Sequence, residues 1–203
     1  MEFVLAGGKL QRCRTAFLEE VGDRDRVLVV GEGNGRFVAE CRRRLAGARI
    51  TCVDASARMV ALAQKRVRRL GRGVRPVEFV VADALEWRPP ENAFDLVVTN
   101  FFLDCFQPEE LGRVVGALSA AAMPGATWLL ADFTVPERGL GRCRALVVHR
   151  LMYMFFRAAT GLSARRLTEP DALLEHHDFK LRRREVSEWG LLHSDRWERT
   201  RSG

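Results

Sequence analysis

Residues 26–37 read Arg-Val-Leu-Val-Val-Gly-Glu-Gly-Asn-Gly-Arg-Phe, and no other stretch constrains the fold as much. Val27 to Val30 is a short, unbroken, mostly β-branched run, suited to a central parallel strand buried on both faces. Gly31, Gly33 and Gly35 follow at alternate positions. A helical pattern then begins, with Phe37, Val38, Cys41 and Leu45 on its apolar side. Strand, glycine turn and helix together open an α/β ligand site. Glycine lets a ligand approach without meeting a Cβ, and the helix N-terminus offers unpaired N–H groups and partial positive charge. The spacing disfavours a dinucleotide fingerprint, which needs a third glycine at position 36, where Arg36 stands.

The rest of the chain repeats the pattern. At 203 residues and 47% hydrophobic, it is expected to form one domain with a substantial core. Leu10, Cys13, Phe17, Leu18 and Val21 predict a helix over 9–22, before the first strand. A second strand over 48–53 ends at Asp54, a third over 77–82 ends at Asp83-Ala84-Leu85, and a fourth over 94–99 runs into Asn100-Phe101-Phe102-Leu103-Asp104. Pro108 starts a helix reaching position 122, Met123-Pro124-Gly125 breaks it, and 126–133 is a fifth, apolar strand ending at Asp132. Strand–helix alternation predicts right-handed crossovers and a parallel sheet, with ligands held outside the carboxyl ends of its strands. The pattern then changes to a helical insertion over about 138–165, then a short helix after Thr168-Glu169-Pro170. The chain closes with a strand pair over 179–186 and 191–197, joined around Ser187-Glu188-Trp189-Gly190.

This ordered set resembles the class I S-adenosylmethionine-dependent methyltransferases, over roughly residues 10–199. It is closest in flavour to the small-molecule enzymes typified by quinone-biosynthesis C-methyltransferases. The resemblance carries a fold: a three-layer α/β sandwich around a seven-stranded, mostly parallel sheet whose last strand is antiparallel. It also carries a cofactor, S-adenosylmethionine, leaving as S-adenosylhomocysteine. Gly31, Gly33 and Gly35 would face its methionine part, Asp54 the ribose, and Asp83, with Ala84 and Leu85, the adenine. Ala55, Ser56 and Met59 flank that site, with Ser56 capping the next helix and Met59 against the adenine. Asn100 and Phe101 lie where cofactor and acceptor meet. Arg14, on the preceding helix, is either a carboxylate ligand or a solvated side chain, and Asp54 is alternatively a helix N-cap. One departure stands out: Val29 and Val30 occupy the place of the acidic residue usual before the glycine turn, and Glu32 lies inside the turn instead.

The chemistry expected is an in-line displacement on a small, apolar acceptor, in which positioning supplies much of the acceleration. Accordingly the sequence shows no clear catalytic dyad. Candidates for acceptor control are Asn100, Asp104, and His149 with Tyr153, four apart on one helix face; the last two alternatively cap a packed helix. Residues 141–159 are apolar nearly all round between Leu146 and Phe156, so they would roof a substrate pocket, seal the core or form a homodimer interface. Arg142, Arg144, Arg150 and Arg157 would ring that helix or touch an anionic membrane surface.

Charge and cysteines narrow the remaining classes. The net charge is +7, but the arginines are scattered and no aromatics interleave them, which fits solvated helix faces better than a nucleic-acid surface. The five cysteines show no Cys-x-x-Cys and no zinc spacing, so no metal is expected, and reduced thiols in the cytoplasm are. The first residues lack the pattern of a secretory leader, and no stretch has the length of a membrane span. Two rivals stay open: a methyltransferase-fold binding protein without activity, and a basic RNA-binding or RNA-modifying protein.

Overall fold

The computed structural model describes residues 4–71, 75–134, 169–188 and 190–201. Its strands are β1 (Arg26–Val30), β2 (Arg49–Asp54), β3 (Val77–Val81), β4 (Phe94–Asn100), β5 (Ala122–Phe133), β6 (Phe179–Ser187) and β7 (Leu192–Arg199). They form one sheet in the order β3-β2-β1-β4-β5-β7-β6. The pairs β1–β2, β1–β4, β2–β3 and β4–β5 are parallel. β7 enters between β5 and β6 and runs antiparallel to both, so the expected seven-stranded sheet with one antiparallel strand is present.

Helices cover both faces: α1 (Val4–Thr15), α2 (Arg36–Arg44), α3 (Ala57–Arg68), α4 (Pro108–Ala121) and α5 (Asp171–His176). The period-two alternation of the central strands decides which residues meet which helix. Leu28, Val30, Val97, Trp128 and Leu130 pack with Leu111, Val114, Val115 and Leu118 of α4. Val27, Val29, Leu96, Val98 and Leu129 point to the other face and pack with Phe37, Val38 and Cys41 of α2. Each such side chain contributes about 1.5–3 kcal/mol on burial. Trp128 Nε1 donates to Thr99 Oγ1 at 2.9 Å, so the bulky indole leaves no unpaired donor inside.

Two boundaries differ from expectation, each for a local reason. The first helix occupies Val4–Thr15 rather than 9–22. Past Thr15 the chain turns by i→i+3 bonds, Leu18 N–H to Thr15 O and Glu20 N–H to Phe17 O, until Gly22 at φ 65°. Phe17, Leu18 and Val21 are thus buried from a turn, which mimics helical spacing in sequence. Met123-Pro124-Gly125 does end α4, but the three residues already belong to β5, whose register with β4 shifts between Phe94 and Leu96. The expected insertion over 138–165 lies outside the described residues. Among those described, no helix is long and apolar enough to cross a membrane.

Candidate functional site

The carboxyl ends of β1, β2, β3, β4 and β5 meet at one edge of the sheet, and the buried polar side chains of Glu32 and Asn100 lie there. The turn after β1 holds Gly31, Gly33 and Gly35 at φ 71°, 66° and 79°, a left-handed conformation that favours glycine. Their surroundings differ. A Cβ on Gly35 would lie 2.6 Å from Ala63 Cα, so this glycine is required where the turn packs on α3. A Cβ on Gly33 would meet nothing within 4 Å, so open space lies above it. Gly31 sits beneath the ring of Phe102.

Glu32 is 8% exposed. Its Oε1 accepts the Phe37 N–H at 2.7 Å in the first turn of α2, while Oε2 is buried without a hydrogen-bond partner. Burial pushes its carboxyl up to about 7, against the pull of the Arg14 charge and the α2 amides. Arg14 reaches this edge from α1, its guanidinium carbon 5.1 Å from the Phe101 ring centre.

Asp54 ends β2 and ties the turn to the next helix. Its Oδ2 accepts the Gly33 N–H at 2.8 Å and its Oδ1 the Ser56 N–H at 2.9 Å. The N-cap of α3 is Ser56, whose Oγ accepts the Met59 N–H at 3.4 Å. Ala55 and Ser56 are exposed and Met59 is half-buried. Asp83 is exposed after β3 and accepts the Leu85 N–H at 2.9 Å, while Ala84 and Leu85 pack against the core.

At the end of β4, Asn100 is 5% exposed and neither side-chain amide atom has a hydrogen-bond partner. Such orphaned groups are rare in a buried position. Phe101 follows at φ 53°, held by its N–H to Ala131 O at 2.7 Å and by its ring, 5.0 Å from that of Phe133. A left-handed phenylalanine carries about 1 kcal/mol or more of strain, and such strain gathers at ligand sites. Phe102 packs edge-on to Phe106, ring centres 5.0 Å apart, in the core cluster on the α4 side.

The expected residues Arg14, Gly31, Glu32, Gly33, Asp54, Ser56, Asp83, Asn100, Phe101 and Asp104 therefore lie along one edge. His149, Tyr153 and the roof helix over 141–159, with the dimer and membrane contacts attributed to it, lie outside the described residues. Two buried polar residues at the same edge escape sequence reasoning. Asp132 is 3% exposed near the end of β5, and its Oδ2 accepts the Asp104 N–H at 3.2 Å. His193 is its antiparallel partner on β7. The one signal for Asp132 was a lone charge in the apolar run 126–133; His193 had none before the β5–β7 register was known.

Comparison with known proteins bears on this arrangement. Residues 27–125 match the family described as Methyltransferase domain. A demethylmenaquinone methyltransferase of Thermus thermophilus is 30% identical over 114 residues, 56% of this chain and 50% of the relative. The chain thus spans half the length of that relative. A carboxy-S-adenosyl-L-methionine synthase of Erwinia tasmaniensis is 26% identical over 184 residues, 87% of this chain and 72% of the relative. The fold matches that of 1,6-didemethyltoxoflavin-N1-methyltransferase of Burkholderia thailandensis, crystallised with 1,6-didemethyltoxoflavin and S-adenosylhomocysteine. The TM-score is 0.68 at 22% identity, covering 97% of this chain and 81% of that one. Its glycine turn, its strand order and the match of residues 27–125 to a methyltransferase domain make the chain similar to the class I S-adenosylmethionine-dependent methyltransferases, whose fold it shares.

Proposed function

We propose that this chain binds S-adenosylmethionine along the carboxyl edge of β1 to β4 and transfers its methyl group to a small, largely apolar acceptor. The observation that carries the reading is the open space over Gly33, flanked by the buried, unpartnered Glu32 Oε2 and the unpartnered Asn100 amide. A ligand with an ammonium, a carboxylate and a ribose suits that set of acceptors and donors. Asp54, beside Gly33, is positioned for the ribose, Asp83 for the adenine, and Arg14 for the carboxylate. When bound, the cofactor supplies an electrophilic methyl group on a sulfonium. The residues around it hold the acceptor in line and keep water away. The aromatic pairs Phe101–Phe133 and Phe102–Phe106 follow the ends of β4 and β5, and aromatic residues there favour a flat, apolar acceptor. The printed names of the relatives, a demethylmenaquinone methyltransferase and a 1,6-didemethyltoxoflavin-N1-methyltransferase, support a small acceptor.

Calorimetric titration with S-adenosylmethionine, S-adenosylhomocysteine and a nicotinamide dinucleotide tests this. The first two should bind and the third should not. Asp54→Ala should weaken cofactor binding by about 1–3 kcal/mol, because ligand groups and the Gly33 amide lose their acceptor. Unchanged affinity in that variant would remove Asp54 from the site.

A further inference from the structure

We propose that the outer face of α3, with the entry to β3, docks the protein on an anionic lipid surface. The choice of a lipid surface rests on the reading of an apolar acceptor, which would dissolve in a bilayer. Between Asp54 and Glu78 every charged residue is basic. The fold gathers these charges on one side. α3 packs on α2 and the sheet through Val60 and Ala63. Its helical period puts Arg58, Leu62, Lys65 and Arg69 in one line on the opposite side, with Arg68 beside them, and all five are exposed. α3 runs back from the carboxyl end of β2 to the amino end of β3, so its last turn nears the exposed Arg75, which precedes β3. Arg75 Nη1 donates to Gly47 O at 2.6 Å, which fixes it beside the entry to β2.

The charge of this face is uncompensated. Among the described residues, Arg58, Lys65, Arg68, Arg69 and Arg75 form no ion pair with a carboxylate. The neighbouring arginines at the end of α2 differ, because Arg43 is paired with Glu40 at 2.8 Å and Arg44 with Glu19. Glu78 accepts from Thr51 Oγ1 at 2.9 Å, on the sheet face opposite to Ile50, Cys52, Val77 and Phe79, which pack on the α2 side. Helix stability does not ask for this arrangement. The first turn of α3 holds Arg58 and no acid, where the helix dipole favours a carboxylate. Lys65 is followed by Arg68 and Arg69 at i+3 and i+4, where like charges repel. A face serving solubility alone mixes the two signs.

Charge complementarity calls for an anionic partner, and the apolar residues of the face favour headgroups over nucleic acid. Leu62, in the middle of the cationic line, is 43% exposed. Val81 alternates with Val77 and Phe79 toward the same side and is 53% exposed at the end of β3. Both can enter the headgroup layer while the cations stay at its phosphates. α3 contains no aromatic residue on which a base could stack. The inner side of the same helix carries the glycine turn, since Ala63 is what a Cβ on Gly35 would meet. A chain docked through α3 therefore holds that turn about one helix diameter, roughly 10 Å, above the lipid. Each cation near an anionic bilayer raises partitioning about fivefold, and the attraction fades within a Debye length.

The test is co-sedimentation of the full chain with vesicles of phosphatidylcholine alone and of an equimolar mixture with phosphatidylglycerol. The wild type should bind the mixed vesicles and not the neutral ones, and salt of about 0.5 M should release it. Arg68→Gln combined with Arg69→Gln should lower partitioning about 25-fold. Arg113→Gln combined with Arg182→Gln removes the same charge from α4 and from β6, at the opposite edge of the sheet. That control should stay within about twofold of the wild type, because its charges lie beyond the screening length. Calorimetric S-adenosylmethionine affinity should be equal in all three proteins, which shows that the variants are folded. Failure of the wild type to bind S-adenosylmethionine would sink the reading of the cofactor site and leave the vesicle result standing. Absence of binding to the mixed vesicles, or equal losses in the two double variants, overturns the proposal. So does tighter binding of a single-stranded RNA oligonucleotide that Arg68→Gln with Arg69→Gln abolishes.

Discussion

Gly33 and Gly35 share a backbone conformation and differ in what surrounds them. Valine at Gly33 fills open space, so its folding cost is the left-handed strain of about 1–2 kcal/mol. Gly33→Val should therefore remain folded and lose S-adenosylmethionine binding, read by thermal unfolding and calorimetry on the same sample. Valine at Gly35 meets the backbone of Ala63 at 2.6 Å, and overpacking adds about 1–3 kcal/mol to the same strain. Gly35→Val should lower the melting temperature well beyond Gly33→Val. Equal melting temperatures would refute the division of labour between the two glycines.

The element whose position most affects the site is α1, and its attachment is specific. Ser194 Oγ on β7 donates to Cys13 O at 2.8 Å and lies 3.1 Å from Cys13 Sγ, all of it buried. Cys13 packs there with Ala131 and Leu192. This dock carries Arg14 to the carboxyl edge of the sheet, over the Phe101 ring. Ser194→Ala should leave the Cys13 carbonyl with only the longer Ala16 N–H bond of 3.4 Å and cost about 1 kcal/mol. Hydrogen exchange should show the loss as faster exchange of the α1 amides, with the β1 and β4 amides unchanged. Uniform acceleration across the sheet would mean that α1 is not a separable unit. The apolar spacing of residues 10–21 announced a helix here, but could not separate a helix from a helix followed by a tight turn. Both bury Phe17, Leu18 and Val21, and only the packing against α2 and the sheet chooses between them.

For the molecule as a whole, buried carboxyls shape the dependence of stability on pH. Glu32 keeps its proton in the folded chain up to about 7, against 4.5 for the ordinary carboxyl. Between those values the folded state binds more protons, so its contribution to stability falls as pH rises through that window and is level above it. The span corresponds to an upper limit of about 3 kcal/mol. Glu32→Gln should flatten that part of the urea-unfolding profile; an unchanged slope would show that Glu32 titrates normally. What the sequence determined by itself was the sheet's parallel part and the strand edge proposed to hold the ligands. Apolar runs, the glycine turn and the acidic residues after β2 and β3 are local patterns, and right-handed crossovers leave them few arrangements. Only the tertiary structure added Asp132 and His193 to that edge. Asp132 and His193 lie 61 residues apart in sequence and became neighbours through the insertion of β7 between β5 and β6. Likewise, three glycines identical in sequence acquired separate duties from Ala63, Phe102 and open space, none of which their own spacing encodes.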